Sequence, residues 1–281
     1  MSGEISVTRN KYATFLIRFQ PGAAKDLPLV SPYAHALALK RTHSQDDTDA
    51  LLQAYKTDPF LAAKICGVAN SIFFNLHHIQ VLTINDALER VGLDYARKLL
   101  LDAQSAQASR APQDYIGYWA HCMTVSRAAA EIAKLAPALN VSAEAGALMG
   151  LIHDIGYLVE LNYNPQLLSE VLATIRGSEA AAAIDTHTAL GESLCSFWSL
   201  PIEITDAQKG HHDLSRCSTK RGRELAALLQ LADRIALGAP LEDAPAQQSL
   251  ALLKLSENAL LPAFTAASLV HAQLMITSLV A

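Results

Sequence analysis

The chain has 281 residues, of which 51% are apolar and 17% are charged, so it can bury the core of one large or two small domains. A net charge of −5 and an isoelectric point near 6.0 argue against nucleic acid as a partner, because binding it needs a basic surface. No apolar run reaches the length of a membrane span, and the first residues lack the basic start and apolar stretch of a signal peptide. We therefore expect a cytoplasmic protein with no membrane contact.

Residues 1–26 are predicted to form an N-terminal extension of unknown role. Its most distinctive part is the apolar run from Tyr12 to Phe19, which could form a short strand or a docked arm. Pro21-Gly22 ends this run, because both residues interrupt regular structure.

From Leu27 onward the pattern of apolar residues is helical almost throughout. Asp58-Pro59 is typical of a helix start, and Thr83 with Asp86 forms a capping arrangement for a later helix. A polar linker is expected at 41–49. The predicted helices of this part are Leu29–Leu39, Ala50–Tyr55, one from Asp58 to Asn70, one from Thr83 to Gly92, and one from Asp94 to Leu101.

The stretch after Asn70 contains aromatic residues and a pair of histidines. Phe73 and Phe74 are expected in the core rather than at a ligand site. His77 and His78 are expected in a loop or on the surface, because no cysteine or carboxylate lies at a suitable ligand spacing. The same test makes three other histidines ordinary: His35, His43 and His271.

A histidine and an aspartate stand side by side at the end of an apolar helical pattern. Ala145, Leu148, Met149 and Ile152 share one face, and His153 follows Met149 by four residues, which directs it into the interior. Gly156 is expected to stop this helix. An unpaired charge in the interior is costly, so the Asp154 carboxylate must be paired, hydrogen-bonded or bound to a metal.

Other polar residues interrupt apolar faces in the same way. His121 and His187 each share a helical stripe with apolar residues, and Asp233 follows Leu229 by four residues in another. Every histidine between 121 and 233 belongs to the candidate set, which we predict to meet at one point inside a helical bundle. The set is His121, His153, Asp154, His187, His211, His212 and Asp233.

Two predictions concern the rest of the chain. The four cysteines (Cys66, Cys122, Cys195 and Cys217) are far apart and form no CxxC motif, so we expect reduced buried thiols; disulfides are the weaker interpretation. Residues 239–281 are expected to be a C-terminal helical extension, with helices Ser249–Ser256 and Ala263–Leu279 packed on the domain.

The order of these motifs resembles the HDOD domain, a relative of the HD phosphohydrolases. The first half has an Asp-Pro helix, an Asn-Ser turn, a Thr-Ile-x-Asp-Ala helix and Val-Gly-Leu: Asp58-Pro59, Asn70-Ser71, Thr83-Ile84 with Asp86-Ala87, and Val91-Gly92-Leu93. The second half has Trp119-x-His121 and His153-Asp154, and then His187, Gly191, Leu194, Trp198, Leu200-Pro201 and His211-His212. The resemblance implies an all-α helical bundle over 27–238, in which an N-terminal helical half (27–110) packs on an HD-like half (111–238).

The resemblance also implies a metal site. His121, His153, Asp154 and Asp233 match the metal set of HD phosphohydrolases, while His187, His211 and His212 resemble the ligands that the HD-GYP branch adds for a second metal. Imidazoles and carboxylates suit one or two divalent ions such as Mn, Fe, Ni, Zn or Mg. His153 and Asp154 would then be the catalytic residues of phosphate-ester hydrolysis, with Asp154 as a bridge between the ions.

Three departures from the active relatives favour a regulatory function. Tyr157 stands where active HD-GYP relatives usually have a phosphate-holding lysine, and no Gly-Tyr-Pro stretch or glycine-rich phosphate cradle is present. A nearby basic cluster, Arg216, Lys220, Arg221 and Arg223, could meet a phosphate or could be a solvated loop. We therefore expect a bacterial signalling output module with a metal-binding pocket, acting on a signalling protein or a small phosphate-containing ligand. The alternatives are a metal-dependent phosphohydrolase for a nucleotide or other phosphate ester and, more weakly, a ligand-free helical scaffold.

Overall fold

The protein is an all-α helical bundle, as the sequence predicts. Its computed structural model describes residues 31–39, 48–105, 115–163, 171–173 and 181–280, in which thirteen α-helices and no β-strand are found. Tyr12–Phe19 and His43 lie outside the described residues, as does most of the expected linker at 41–49.

The N-terminal half consists of five helices that form around local capping signals. Asp58 caps α3, where its side chain accepts a hydrogen bond from the Leu61 backbone N–H at 3.1 Å, and Thr83 caps α4 by accepting from Asp86 N–H at 3.1 Å. Both predicted starts are confirmed. The helices are α1 (Pro32–Leu39), α2 (Thr48–Thr57), α3 (Pro59–Asn70), α4 (Ile84–Val91) and α5 (Leu93–Ser105).

The second group of helices, which we call the HD-like half after the resemblance described above, is built around the 20-residue helix α6, which packs against α7 and α11. The Trp119 indole on α6 donates a hydrogen bond to the Thr57 carbonyl at 2.8 Å and so joins the two halves. The helices of this half are α6 (Ile116–Leu135), α7 (Ala143–Ile152), α8 (Ile155–Tyr163), α9 (Ala181–Phe197), α10 (Ile202–Gly210) and α11 (Lys220–Leu237).

Gly156 does not stop a helix, so that prediction was wrong. It lies inside α8, and the break comes earlier, at the turn formed by His153 and Asp154. A Cβ atom at Gly156 would overlap the backbone of His187, so the glycine is needed for the close approach of α8 and α9.

Two helices follow the HD-like half, as predicted, although the first begins earlier than expected. α12 (Ala244–Leu253) starts where the Asp243 side chain accepts from Ala246 N–H at 3.0 Å, and it ends at Lys254, whose φ of 57° is left-handed. α13 (Leu261–Val280) packs along α6 and α11.

Two further predictions concern burial. All four cysteines are buried free thiols, as expected. Phe73 is 79% exposed and Phe74 is half-buried, so the core placement of this pair was wrong for Phe73. In the described ranges, no helix combines the length and the hydropathy that crossing a membrane requires.

Candidate metal centre

The break between α7 and α8 places two ligand-type side chains at the centre of the HD-like half. His153 is 1% exposed and Asp154 is 4% exposed. The Tyr118 hydroxyl on α6 donates to the Asp154 carbonyl at 3.1 Å and so fixes this turn. The interior position predicted for both residues is therefore confirmed.

Hydrogen bonds to backbone carbonyls fix the direction of two imidazole rings. His153 Nδ1 lies 2.8 Å from the Gly150 carbonyl, and His211 Nδ1 lies 2.7 Å from the Gln208 carbonyl. A carbonyl can only accept, so each Nδ1 carries the hydrogen, and the Nε2 lone pair of a neutral ring faces the centre. This second hydrogen bond is typical of metal-binding histidines.

One group of donor atoms gathers around the Oδ2 atom of Asp154. His121 Nε2 lies 3.4 Å from it and His153 Nε2 lies 3.2 Å from it, while the two imidazole nitrogens are 3.2 Å apart. Asp233 Oδ1 on α11 lies 3.3 Å from His121 Nε2 and 3.8 Å from His153 Nε2. We call His121, His153, Asp154 and Asp233 the first set.

A second group gathers around the other oxygen of the same carboxylate. His187 Nε2 lies 3.3 Å from Asp154 Oδ1, and His211 Nε2 lies 3.4 Å from it. His187 Nε2 is also 3.4 Å from His211 Nε2 and 3.2 Å from His212 Nε2. We call Asp154, His187, His211 and His212 the second set. The structure thus brings together all seven residues predicted from the sequence.

The charges of the two aspartates dominate the electrostatics. Burial alone would lower the pKa of His121, but hydrogen bonds to Asp154 and Asp233 and their negative charges raise this pKa to about 10. Burial alone would raise the pKa of Asp233, yet the histidines nearby, His121 foremost, lower it to about 2. Burial alone would also raise the pKa of Asp154, but the histidines around it, His153 foremost, lower it. Two buried carboxylates therefore stay ionised and require a positive charge, which a proton on His121 or a cation can supply.

The distances fit a metal ion. Metal–ligand bonds of about 2.1 Å place neighbouring ligand atoms about 3.0 Å apart in octahedral coordination. In tetrahedral coordination the same bonds place them about 3.4 Å apart. The neighbouring ligand atoms described for both sets are 3.2–3.4 Å apart, with one separation of 3.8 Å. Asp154 Oδ1 is buried and accepts no hydrogen bond from the described part of the chain, although two imidazole nitrogens face it. The second set could hold a divalent metal ion, and so could His121, His153 and Asp154 of the first set. Asp233 lies beside these three residues.

Two contacts beside the cluster were not predicted from the sequence. Tyr157 stacks on His187, with ring centroids 4.1 Å apart and planes at 20°. Gln208 donates a side-chain hydrogen bond to the Ile152 carbonyl, which ties α10 to the end of α7. No spacing rule predicts these contacts, because each joins segments that are far apart in the sequence.

Another missed contact runs from the C-terminal extension to the second set. The Ser249 hydroxyl on α12 donates to Gln230 Oε1 at 2.8 Å, and Gln230 Nε2 donates to the His212 carbonyl at 3.1 Å. The His212 carbonyl can only accept, so it fixes the orientation of the Gln230 amide. Ser249 and Gln230 are buried, and they connect α12 to a ligand-type residue.

The remaining polar candidates are not members of the two sets. His77 and His78 are exposed in a loop, as predicted, and His35 is half-buried on α1. The side chain of His271 lies outside the description. In the basic cluster, Arg216 reaches the Thr188 hydroxyl at 3.3 Å, while Lys220 and Arg221 each lie 3.7 Å from Glu224.

Two solved structures share this fold. The MmoQ response regulator of Methylococcus capsulatus is 23% identical, covers 85% of this chain and 98% of its own, and has a TM-score of 0.61. A virulence factor of Campylobacter jejuni is 15% identical, covers 92% of this chain and 95% of its own, and has a TM-score of 0.60. No curated protein matches the chain significantly. The HDOD domain family matches residues 27–214, more than half of the sequence. The chain therefore belongs to the HDOD domain family.

Proposed function

We propose that this protein is a bacterial HDOD-type signalling output module whose HD-like half holds two divalent metal ions that share Asp154. One observation carries the proposal: the two oxygens of a single buried carboxylate face two different sets of imidazole nitrogens. Such a carboxylate suits a bridge between two cations. Four buried free thiols agree with a place in the reducing cytoplasm.

The first set would hold one ion and the second set the other. Five imidazoles and two carboxylates favour Mn, Fe, Ni or Zn over Mg, which prefers oxygen ligands. Asp233 lies beyond residue 214, where the family match ends, so we propose that the functional unit extends over 27–238. The chain itself contributes the rigid orientation of the rings, through carbonyl acceptors such as those of Gly150 and Gln208.

Limited access supports a regulatory over an enzymatic function. The exposed fraction is at most 8% for His121, Asp154 and Asp233. Within the two sets, only His212 is half-buried rather than buried. Tyr157 covers one face of His187 at the position where active HD-GYP relatives usually have a lysine. In this proposal, metal occupancy stabilises one arrangement of α7–α11, and a signalling protein or a small phosphate-containing ligand responds to it.

The proposal is tested by metal analysis of the purified full-length chain, as isolated and after incubation with Mn²⁺. We expect two equivalents of metal in the wild type and a loss of both in Asp154→Asn, which keeps the shape of the side chain but removes its charge. His77→Ala/His78→Ala is the matched control, because it removes two exposed imidazoles outside the cluster and should keep both equivalents. A wild type that binds no metal contradicts the proposal and favours the ligand-free scaffold.

A metal-dependent phosphohydrolase is the second candidate. It is favoured by the shared carboxylate itself, since paired ions about 3.5–4 Å apart are the arrangement used for phosphate esters. When bound, such ions polarise a phosphoryl oxygen and acidify water. Arg216, which reaches Thr188 beside His187, is a cation near the second set. Hydrolysis of bis(p-nitrophenyl) phosphate in the presence of Mn²⁺ that Asp154→Asn abolishes would favour the enzyme; bound metal without hydrolysis favours the regulatory module.

A further inference from the structure

The loop between α3 and α4 presents large apolar side chains to solvent. Ile72 is 86% exposed, Phe73 79%, Leu76 75% and Ile79 62%. Single exposed apolar residues are common, but four within eight positions form a patch of the kind that marks a binding surface. We call residues 71–82 the apolar loop.

The apolar loop is held rigidly in this exposed arrangement. The Asn70 side chain pairs with both backbone groups of Val81, accepting from its N–H at 2.8 Å and donating to its carbonyl at 2.9 Å. Arg90 donates to the Ile79 carbonyl at 2.7 Å. Within the loop, Asn75 N–H donates to the Ser71 carbonyl at 2.8 Å. The exposure of the apolar side chains therefore belongs to a fixed backbone geometry.

A groove of about 480 Å³ lies beside the apolar loop. On one side, Phe73, Phe74 and Tyr95 form edge-to-face pairs, with ring centroids 5.1 Å and 5.7 Å apart. On the other side lie Phe197, which is 51% exposed, and Trp198. The walls are aromatic, so the groove fits an apolar segment with aromatic side chains.

We propose that residues 12–19 of the same chain dock in this groove and cover the apolar loop. This run, Tyr-Ala-Thr-Phe-Leu-Ile-Arg-Phe, holds three aromatic and two branched aliphatic residues within eight positions. Neither the metal sets nor the HDOD motifs use it. Its composition matches the aromatic walls of the groove.

The connection to the described chain allows this docking. Ser31 is anchored at the start of α3, where its N–H donates to Asp58 Oδ2 at 2.9 Å. The groove lies at the other end of the same helix, about 20 Å away at 1.5 Å per residue. The twelve residues from Phe19 to Ser31 span up to about 40 Å when extended, so the run reaches the groove easily.

A tethered segment has an advantage over a second copy of the chain. A short linker gives it an effective concentration on the order of millimolar, above the concentration of a free partner in a dilute solution. The apolar loop is then covered within each molecule, without association between molecules.

Crosslinking of the full-length protein tests the proposal. Phe15→Cys combined with Ser71→Cys, which lines the groove and leaves its aromatic walls intact, is treated with a short bismaleimide at low protein concentration; the four native thiols are buried. We expect a crosslink within the monomer that shifts its electrophoretic mobility. The matched control is Phe15→Cys combined with Ser268→Cys, an exposed position on α13, which should give none. A crosslink between two chains, equal crosslinking in the control, or none in either pair overturns the proposal.

Tryptophan fluorescence provides a second measurement without new cysteines. Trp198 is 7% exposed and lines the groove, whereas Trp119 does not line it and supplies a constant background. Phe15→Ser/Phe19→Ser should shift the emission to longer wavelength without changing the melting temperature of the core. Ile5→Ser/Val7→Ser removes apolar residues outside the run and should leave the emission unchanged. Identical emission of both variants contradicts the docking.

Discussion

Gly156 lies against the backbone of His187 so closely that no side-chain atom fits between them. This contact fixes the separation of α8 and α9, and His187 is the only one of the seven cluster residues that α9 supplies. The position of one imidazole of the second set thus depends on the absence of a Cβ atom on another helix.

Gly156→Ala should therefore destabilise the fold and weaken metal binding by the second set but not by the first. The added methyl group forces α8 and α9 apart, which costs about 1–3 kcal/mol in a packed interior. Urea unfolding measures this loss, and metal analysis should show one equivalent instead of two. Gly191→Ala is the control, because its added Cβ atom would meet only a side-chain oxygen, that of Gln208, at 3.2 Å, and its nearest backbone neighbour lies at 3.7 Å. Equal losses in the two variants would contradict this account.

Variants that touch only one set should separate the two proposed ions. Asp233→Asn removes a charge from the first set, and His211→Gln removes an imidazole from the second. Each variant should retain one equivalent of metal, whereas Asp154→Asn should retain none, because its carboxylate belongs to both sets. Metal analysis after dialysis measures the number of equivalents. Loss of both ions in all three variants would mean that the sets do not act separately.

Four of the seven cluster residues were predicted because each places a polar group on an apolar helical face: His121, His153, His187 and Asp233. Asp154 follows from its position beside His153, whereas the assignment of His211 and His212 to the site rested on the resemblance to the HDOD family. His121, for example, interrupts the stripe of Val125 and Ala128, and burial of such a group requires a partner. The structure brings these partners together from helices far apart in the chain. Periodicity and the cost of burial were thus sufficient for these four residues, but not for His211 and His212.

The same reasoning gave wrong predictions where a residue type can have either of two structural roles. Gly156 was interpreted as a helix stop, but its function in packing depends on His187, which lies far along the sequence. Phe73 was assigned to the core because aromatic residues are usually buried, but an irregular loop has no periodicity that tells inside from outside. Ser249 and Gln230 carry no spacing signal, since their partners are a side-chain amide and a backbone carbonyl.

Ser249→Ala should weaken metal binding by the second set although the serine contacts no ligand-type atom. Without its hydroxyl, Gln230 Oε1 loses its donor, and the amide that holds the His212 carbonyl is free to turn. We expect a destabilisation of about 1–3 kcal/mol and an affinity loss of about 10-fold for one ion. Calorimetric titration with Mn²⁺ separates the two affinities.

The control for this variant is Ser268→Ala, which alters an exposed serine on α13. It should change neither stability nor affinity. A merely structural effect of Ser249→Ala would lower both affinities equally or neither, and either result would contradict a positioning function for Ser249.

Asp206 should make the stability of the protein depend on pH in the acid range. Burial alone would raise the pKa of Asp206, but hydrogen bonds from the backbone N–H groups of Ser218 and Thr219 and from the Thr219 hydroxyl lower it. A native pKa below the unfolded value of 3.8 stabilises the fold above about pH 4, and this contribution is lost as the pH falls through the native pKa. Asp206→Asn should therefore cost about 2 kcal/mol at pH 7, since it weakens charge-assisted bonds at the start of α11. Urea unfolding between pH 7 and pH 3 should show that the stability difference between the wild type and Asp206→Asn becomes smaller below about pH 4. The control is Asp102→Asn, at an exposed position on α5, which should differ little in stability from the wild type at any pH. A difference for Asp206→Asn that stays constant throughout this range would exclude Asp206 as the titrating group.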